Sequence, residues 1–333
     1  MSIGIGVIGA GVMGADHARS VATALGGAHL AALSDADADR AARVATETGA
    51  ARRHADGMAL IADPSVDAVL IASPDATHAG FVLACLKAGK PVLCEKPLAA
   101  TLAEAEEIIA AETALGRRLV QVGFMRRFDP AYAAMKARLD AGEIGAAVML
   151  HCVHRNASAP SWFDAEMVIT NAAVHEIDIA RFLLGQEIAA ATVFAPPASG
   201  AAGGSDRQFL VLETARGVLV NVEVFVNAAY GYDVRAELVG ERGTLTRTPQ
   251  DPVVLRQAGR ESGAFSPDWR AHFAAAYQLQ LQGWVQSIRT GVPVGASAWD
   301  GYAATATALA CVGGLGRGER VRVAIGARPA LYG

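Results

Sequence analysis

In the first third of the chain, short aliphatic and β-branched runs alternate with longer stretches whose apolar positions recur every three or four residues. "IGIGVIG", "HLAALSD", "VDAVLIAS", "PVLCEK" and "RLVQVGF" have the pattern of strands. "MGADHARSVATAL", "DADRAARVATETG", "THAGFVLACLKAG" and "TLAEAEEIIAAETALG" have the pattern of helices. Strand–helix alternation of this kind predicts a parallel, doubly wound sheet. After about Phe124 the rhythm changes. One more helix, "PAYAAMKARLDAG", precedes "AAVMLHCVHRN", "AATVFAPP", "QFLVLETARG", "VLVNVEVFV" and "YDVRAELVG". Several of these alternate apolar and polar positions and are joined by short turns, which predicts a largely antiparallel sheet. "HFAAAYQLQLQGWVQSIRTG" and "WDGYAATATALACVGG" read as helices near the end, and "ASGAAGGSDR" reads as a connector. The expected organisation is α/β: residues 1–123 as a dinucleotide-binding domain and 124–333 as an α+β domain for substrate and oligomerisation.

Composition narrows the partners. The chain has 333 residues, more than half of them apolar, and a net charge of −4. That is enough length for two cores, and no basic stripe is present to hold nucleic acid. The four cysteines are scattered without a CxxC pair, which points to a reducing compartment rather than a disulfide framework. No basic n-region precedes the first strand, and no uncharged apolar run reaches membrane-spanning length. A soluble cytoplasmic protein is expected.

The chemistry begins at "GVIGAGVMGADHA". Gly9, Gly11 and Gly14 form a G-x-G-x-x-G pattern between a strand and a helix. The first glycine allows the tight turn, the second lets backbone approach a pyrophosphate, and the third lets helix and strand pack closely. Free amides at the helix start suit phosphate. Asp35 closes the second strand about 20 residues on, where a carboxylate binds ribose hydroxyls. It would repel a 2′-phosphate, and Ala36 supplies no cation, so NAD is favoured over NADP. A helix N-cap is the other role open to Asp35.

Lys96, in "CEKPLA", ends the fifth strand, at the edge where open α/β sheets bind ligands. Pro97 makes a cis bond available there. A surface lysine is the competing reading. Further on, "ITNAAVHEID" sets Asn171, His175 and Asp178 three or four residues apart, on one helical stripe. An amide, an imidazole and a carboxylate so arranged are solvated, buried and satisfied, metal ligands, or catalytic. The metal reading is weak: "HEIDI" is not HExxH, because Ile179 takes the fifth place, and no cysteine is near in sequence.

Seven segments together — the glycine motif, "EKPLA", "GFMRRFDPAY", "HRNAS", "VHEIDIARFLLG", "YGYDV" and "SAWDGYAATA" — resemble the glucose–fructose oxidoreductase/inositol dehydrogenase family, nearest its inositol 2-dehydrogenase branch. The resemblance runs almost end to end. It implies a Rossmann domain, a second α/β domain whose open sheet often mediates oligomers (a tetramer or dimer), and NAD-dependent oxidation of a ring hydroxyl on a cyclitol. It implies that Lys96 and His175 are catalytic. Asn171, where the family usually has aspartate, would orient His175, and Asp178 would give structural support. It implies cofactor contacts from Val12, Met13, Ser73, Pro74, His78 and Glu95 besides the glycines, Asp35 and Lys96. Substrate contacts are implied for Arg126, His154, Asn156, Tyr230 and Tyr232, with Asn171 and His175; Arg127 also matches.

The chemistry agrees independently. Alcohol oxidation needs a hydride acceptor and a base, and histidine suits the second task near neutral pH. Three rival readings stay open: a pyranose or amino-cyclitol dehydrogenase, a non-catalytic dinucleotide-binding regulator, and an NAD-dependent glycosidase. Some residues carry two readings. His78 lines the cofactor or simply starts a helix. Trp299, Trp162 and Phe163 approach ligands or pack. The acidic run "EAEEIIAAE" reads as a solvated helix face.

Overall fold

The computed structural model describes residues 2–196, 206–247 and 254–333. Most of the predicted connector "ASGAAGGSDR" lies outside them. The chain divides into two compact units: Met1–Met125 with Ala276–Tyr302 and Gly326–Gly333, and Arg126–Ala275 with Ala303–Ile325.

The first unit alternates strand and helix in chain order: β1 (Ile3–Ile8), α1 (Val12–Thr23), β2 (Ala28–Ser34), α2 (Ala38–Thr48), β3 (Arg52–His54), α3 (Gly57–Ala62), β4 (Ala68–Ile71), α4 (His78–Lys87), β5 (Val92–Cys94), α5 (Leu102–Leu115) and β6 (Val120–Val122). The strands form one parallel sheet in the order β3-β2-β1-β4-β5-β6. The order reverses beside β1, and open parallel sheets bind ligands outside the strand ends at such a switch point. β3, with three residues, and α3, with six, are too short to stand out in the sequence. β1, β4 and β5 are buried along their whole length, as a sheet covered on both faces requires. Thr101 and Glu104 form a reciprocal capping box that starts α5.

The acidic run on α5 is not wholly solvated. Glu112 is fully buried, and its carboxylate accepts the Leu119 and Val120 amides at 2.5 and 2.6 Å and the Tyr332 hydroxyl at 2.6 Å. A charge at that position escapes a reading based on periodicity, because its partners arrive from a later turn and from the end of the chain.

The second unit contains α6 (Pro130–Asp140), β7 (Ala147–Arg155), the single turn α7 (Ala165–Met167), a π-helical turn at Val168–Ala173, α8 (Val174–Leu184), β8 (Ile188–Phe194), β9 (Arg207–Thr214), β10 (Leu219–Phe225), β11 (Asp233–Gly240), β12 (Gly243–Arg247), a small β13–β14 hairpin (Leu255–Gln257, Arg260–Ser262) and the turn α9 (Trp269–His272). Two longer helices follow, α10 (Ala274–Thr290) and α11 (Ala298–Gly313), then β15 (Val321–Arg322). α10 joins the first unit, and α11 passes from the first unit to the second after Tyr302.

The seven-stranded sheet has the order β12-β11-β7-β10-β9-β8-β15 and is antiparallel except where β7 meets β10. Along β9 and β10 every second residue is buried, so one face is packed and the other open.

Candidate functional site

In the first unit, the turn after β1 makes a cradle. Gly9 has φ +94°, and a Cβ there would meet the Ala72 carbonyl oxygen at 2.5 Å. A Cβ on Gly14 would lie 1.9 Å from the Gly9 oxygen. A Cβ on Gly11, by contrast, meets nothing within 4 Å: the chain itself does not use that space. Val12 and Met13 begin α1, with Val12 exposed. Gly9, Gly11, Asp35, Asp37, Ser73 and Pro74 are among the residues that line a cavity of about 710 Å³, ample for the adenosine half of a dinucleotide.

Asp35 is nearly buried and accepts the Ala10 amide at 2.6 Å and the Asp37 amide at 2.8 Å. The N-cap of α2 is Asp37, which accepts the Arg40 amide, so Asp35 is left to the cavity. Position 36 is alanine and carries no cation. Arg40, one helical turn into α2, also lines the cavity, but its guanidinium lies 3.0 Å from Asp37 and 3.9 Å from Asp35. Its charge is thus largely neutralised, and the wall stays unfavourable to a 2′-phosphate.

At the end of β5, Lys96 is half-buried and its peptide bond to Pro97 is cis. Glu95 points back into the unit, where Oε1 lies 2.7 Å from Nε2 of His17 and Oε2 accepts the Lys96 amide at 3.3 Å. His17 sits on the inner face of α1 and gave no motif signal. It links the helix of the glycine loop to the strand end that carries Lys96. His78 is the first residue of α4 and is buried. Its ring nitrogens lie 2.6 Å from the Pro97 carbonyl and 2.9 Å from the Ser73 carbonyl. It therefore ties the turn after Lys96 to the cavity wall. Trp299 is buried against Tyr302 at 5.2 Å between ring centres. This is a packing role.

The second unit holds a buried polar cluster. His175 and Asp178 lie on α8, and Asn171 lies on the π-helical turn before it. The simple stripe drawn from a 3.6-residue period is thus interrupted between Asn171 and His175. Such π turns recur at functional sites, because the widened ring re-aims its side chains. Asp178 is fully buried and takes Arg127 through both oxygens, at 2.6 to 3.2 Å. His175 is buried, with its ring 6.5 Å from that of His154. His154 Nδ1 lies 3.0 Å from Glu176, and Nε2 lies 3.0 Å from Asn156 Oδ1.

Arg126 is only 1% exposed and pairs with Glu176. Its NH2 also reaches His154 and the Tyr232 hydroxyl, each at 3.3 Å. Burial works against the Arg126 charge, and the adjacent Glu176 carboxylate more than restores it. Burial likewise raises Glu176, but Arg126 and then His154 pull it back, to below the usual carboxylate range. Beyond this, Arg247 contacts Asp129 at 3.5 Å and donates to His272 at 2.8 Å. Burial, reinforced by Arg247 and Arg126, pushes the His272 ring down to about 4, which leaves it neutral and able to accept.

The second unit therefore brings together Arg126, His154, Asn156, His175 and Tyr232. Arg126, expected among the substrate contacts, lies inside this cluster, where its NH1 and NH2 groups meet Glu176, His154 and Tyr232. Tyr230 is placed elsewhere. Its hydroxyl bonds Asp233 at 2.5 Å and takes Arg155 at 3.0 Å. Arg155 follows His154 on β7 and so stands on the opposite face of the sheet. Ala229 at φ 65° and Gly231 at φ 142° break the strand alternation that would otherwise set Tyr230 and Tyr232 on one side. Trp162 is two-thirds exposed and belongs to no core.

A glycine cradle with a ribose-side carboxylate, and a second α/β unit with a buried histidine cluster, are the parts of a dinucleotide-dependent oxidoreductase. Residues 3–124 match the profile "Oxidoreductase family, NAD-binding Rossmann fold", and residues 136–322 match the "Oxidoreductase family, C-terminal alpha/beta domain". The chain belongs to this glucose–fructose oxidoreductase/inositol dehydrogenase family. It is 54% identical to inositol 2-dehydrogenase 1 of Saccharopolyspora erythraea, over all of both chains. It is 46% identical to an inositol 2-dehydrogenase of Pseudomonas fluorescens, again over all of both. The myo-inositol dehydrogenase of Lactobacillus casei, solved in complex with NAD(H) and myo-inositol, superposes with a TM-score of 0.95 at 34% identity and full coverage of both chains. The scyllo-inositol dehydrogenase of the same organism gives 0.89 at 26%, covering 97% of this chain and 99% of that one.

Proposed function

We propose that the protein oxidises one ring hydroxyl of an inositol to the ketone, reversibly, with NAD. The observation that carries this is the full-length likeness to the NAD(H) and myo-inositol complex, in a chain that keeps both Lys96 and His175. The open space at Gly11 and the Asp35 wall fit the pyrophosphate and ribose of NAD. NAD supplies the hydride acceptor. The Lys96 ammonium holds the alcohol oxygen and stabilises the negative charge that develops on it. His175 takes the hydroxyl proton as the C–H bond breaks and passes it to solvent. Asn171 orients the His175 ring without adding charge. Asn156 and Tyr232 hold the remaining hydroxyls, with His154 behind Asn156.

A panel of cyclitols and pyranoses with NAD, followed by absorbance of the reduced cofactor, tests the assignment. Net NADH from myo- or scyllo-inositol is expected. NADH from pyranoses alone would overturn it in favour of a sugar dehydrogenase. Cofactor choice has its own test. Asp35→Ser with Ala36→Arg is expected to narrow or reverse the preference for NAD in kcat/KM. Two like charges about 4 Å apart repel by roughly 4 kcal/mol at an effective dielectric near 20, before screening. A parent enzyme that prefers NADP would contradict the role given to Asp35.

The protein is further proposed to act in the cytoplasm as a homo-oligomer, a dimer or tetramer. Met149, Leu219, Phe209 and Phe194 are exposed, and strand register sets them on the open face of the seven-stranded sheet. Apolar side chains gathered on one sheet face favour burial against a second copy. Among the described residues no helix is long and apolar enough to cross a membrane.

A further inference from the structure

Glu176 follows His175 directly, yet it has no part in the proton chemistry above. Its carboxylate is 1% exposed and joins three elements. One oxygen takes Arg126, from the turn at Met125–Phe128, and the other lies 3.0 Å from His154 Nδ1 on β7. His154 Nδ1 therefore has two neighbours of opposite kind. Glu176 only accepts; the Arg126 NH2 group, at 3.3 Å, only donates. One ring nitrogen cannot satisfy both. The carboxylate contact is shorter and charge-assisted, and the Arg126 NH2 group has the Tyr232 hydroxyl as another acceptor. In the neutral imidazole the proton thus belongs on Nδ1, and Nε2 is left with its lone pair. That lone pair faces the Asn156 side-chain amide, whose Oδ1 is placed 3.0 Å away, and two acceptors cannot bond. The oxygen and nitrogen of an amide are assigned from such networks, and this one requires Asn156 to present its NH2 group to His154. The Asn156 carbonyl is then turned away from the ring.

We propose that Glu176 is a positioning residue for the polyol site: by fixing the His154 proton on Nδ1 it orients Asn156 so that its carbonyl accepts a substrate hydroxyl. This rests on reading Asn156 as a polyol contact. A site that accepts selects a true hydroxyl over fluorine or hydrogen at the same carbon, since neither of those donates. Buried acceptors left unpaired by the wrong ligand make such a site discriminating.

Two measurements test it. The first needs no variant: ¹⁵N spectra of the parent protein, with the His154 signals assigned by their loss in His154→Gln. A protonated Nδ1 and a bare Nε2 are expected. A proton on Nε2 overturns the proposal. The second is steady-state kinetics of Glu176→Gln, whose side-chain amide can offer either an acceptor or a donor to Nδ1. KM for myo-inositol is expected to rise about tenfold, the worth of one hydrogen bond. Discrimination against deoxyfluoro-inositols should fall with it, while kcat and the NADH Kd stay within about threefold. An unchanged KM and an unchanged fluorine discrimination overturn it, as does a loss confined to kcat. If the parent turns over no cyclitol, the functional reading fails, while the ¹⁵N result still decides where the His154 proton lies.

Discussion

His175→Ala and Lys96→Met are each expected to lose at least about a hundredfold in turnover, the low end of what a positioned acid or base contributes. NADH affinity should change little, because the cradle at Gly9, Gly11 and Gly14 and the Asp35 carboxylate are remote in sequence from His175 and independent of the Lys96 side chain. The two variants should differ in kind. Without His175 the hydroxyl proton has no positioned acceptor, and activity should recover partly as pH rises and hydroxide substitutes for the base. Without the Lys96 ammonium the developing alkoxide loses its counter-charge, and higher pH gives no such relief. Calorimetric titration with NADH and kcat measured against pH separate these effects. Near-normal turnover in His175→Ala would remove the residue from the mechanism.

The second large effect concerns stability. Asp178→Ala takes from the Arg127 guanidinium, which is about 10% exposed, a fully buried carboxylate that it grips through both oxygens. Breaking one side of a buried ion pair costs about 3–5 kcal/mol. For a unit of this size, at about 2–4 °C per kcal/mol, Tm should fall by roughly 10 °C. Replacing both partners, as Asp178→Leu with Arg127→Met, should recover most of that loss, because no uncompensated charge remains. Calorimetric scans of the three proteins give the comparison. A single variant as stable as the parent would show that the pair holds nothing. The Arg127 guanidinium also lies 5.4 Å from the centre of the Phe182 ring, so the double variant must fill the space as well as remove the charge.

The parallel sheet was legible because β1, β4 and β5 are apolar along their length and its longer helices have a clear period, and the cradle because three glycines at fixed spacing have one geometric purpose. Other parts were hidden for physical reasons. β3 has only three residues, and Arg52 and Arg53 are both exposed. The α10 helix looked like part of the second domain, since sequence order says nothing about which core a late helix completes. Its Leu281, Trp284 and Val285 pack with Ile5, Leu33 and Leu93. Glu176 and His17 were passed over for a shared reason. Each is a polar residue on a buried helix face whose partners lie 22 to 78 positions away, and no local pattern announces a contact at that range. Arg40 was missed because a helical turn, not the next residue, brought the cation to the cavity wall.

The route of the chain through the first unit sets an order of events at the ribosome. Domains ordinarily fold as units, the N-terminal one first, while synthesis continues. Here the six strands of the parallel sheet have all been made by Val122, yet their core still lacks Leu281, Trp284 and Val285. Glu112 meanwhile waits for Tyr332, 220 positions further on. The nascent sheet therefore stays unfinished while the whole second unit is translated, and it closes only once Tyr332 has been made.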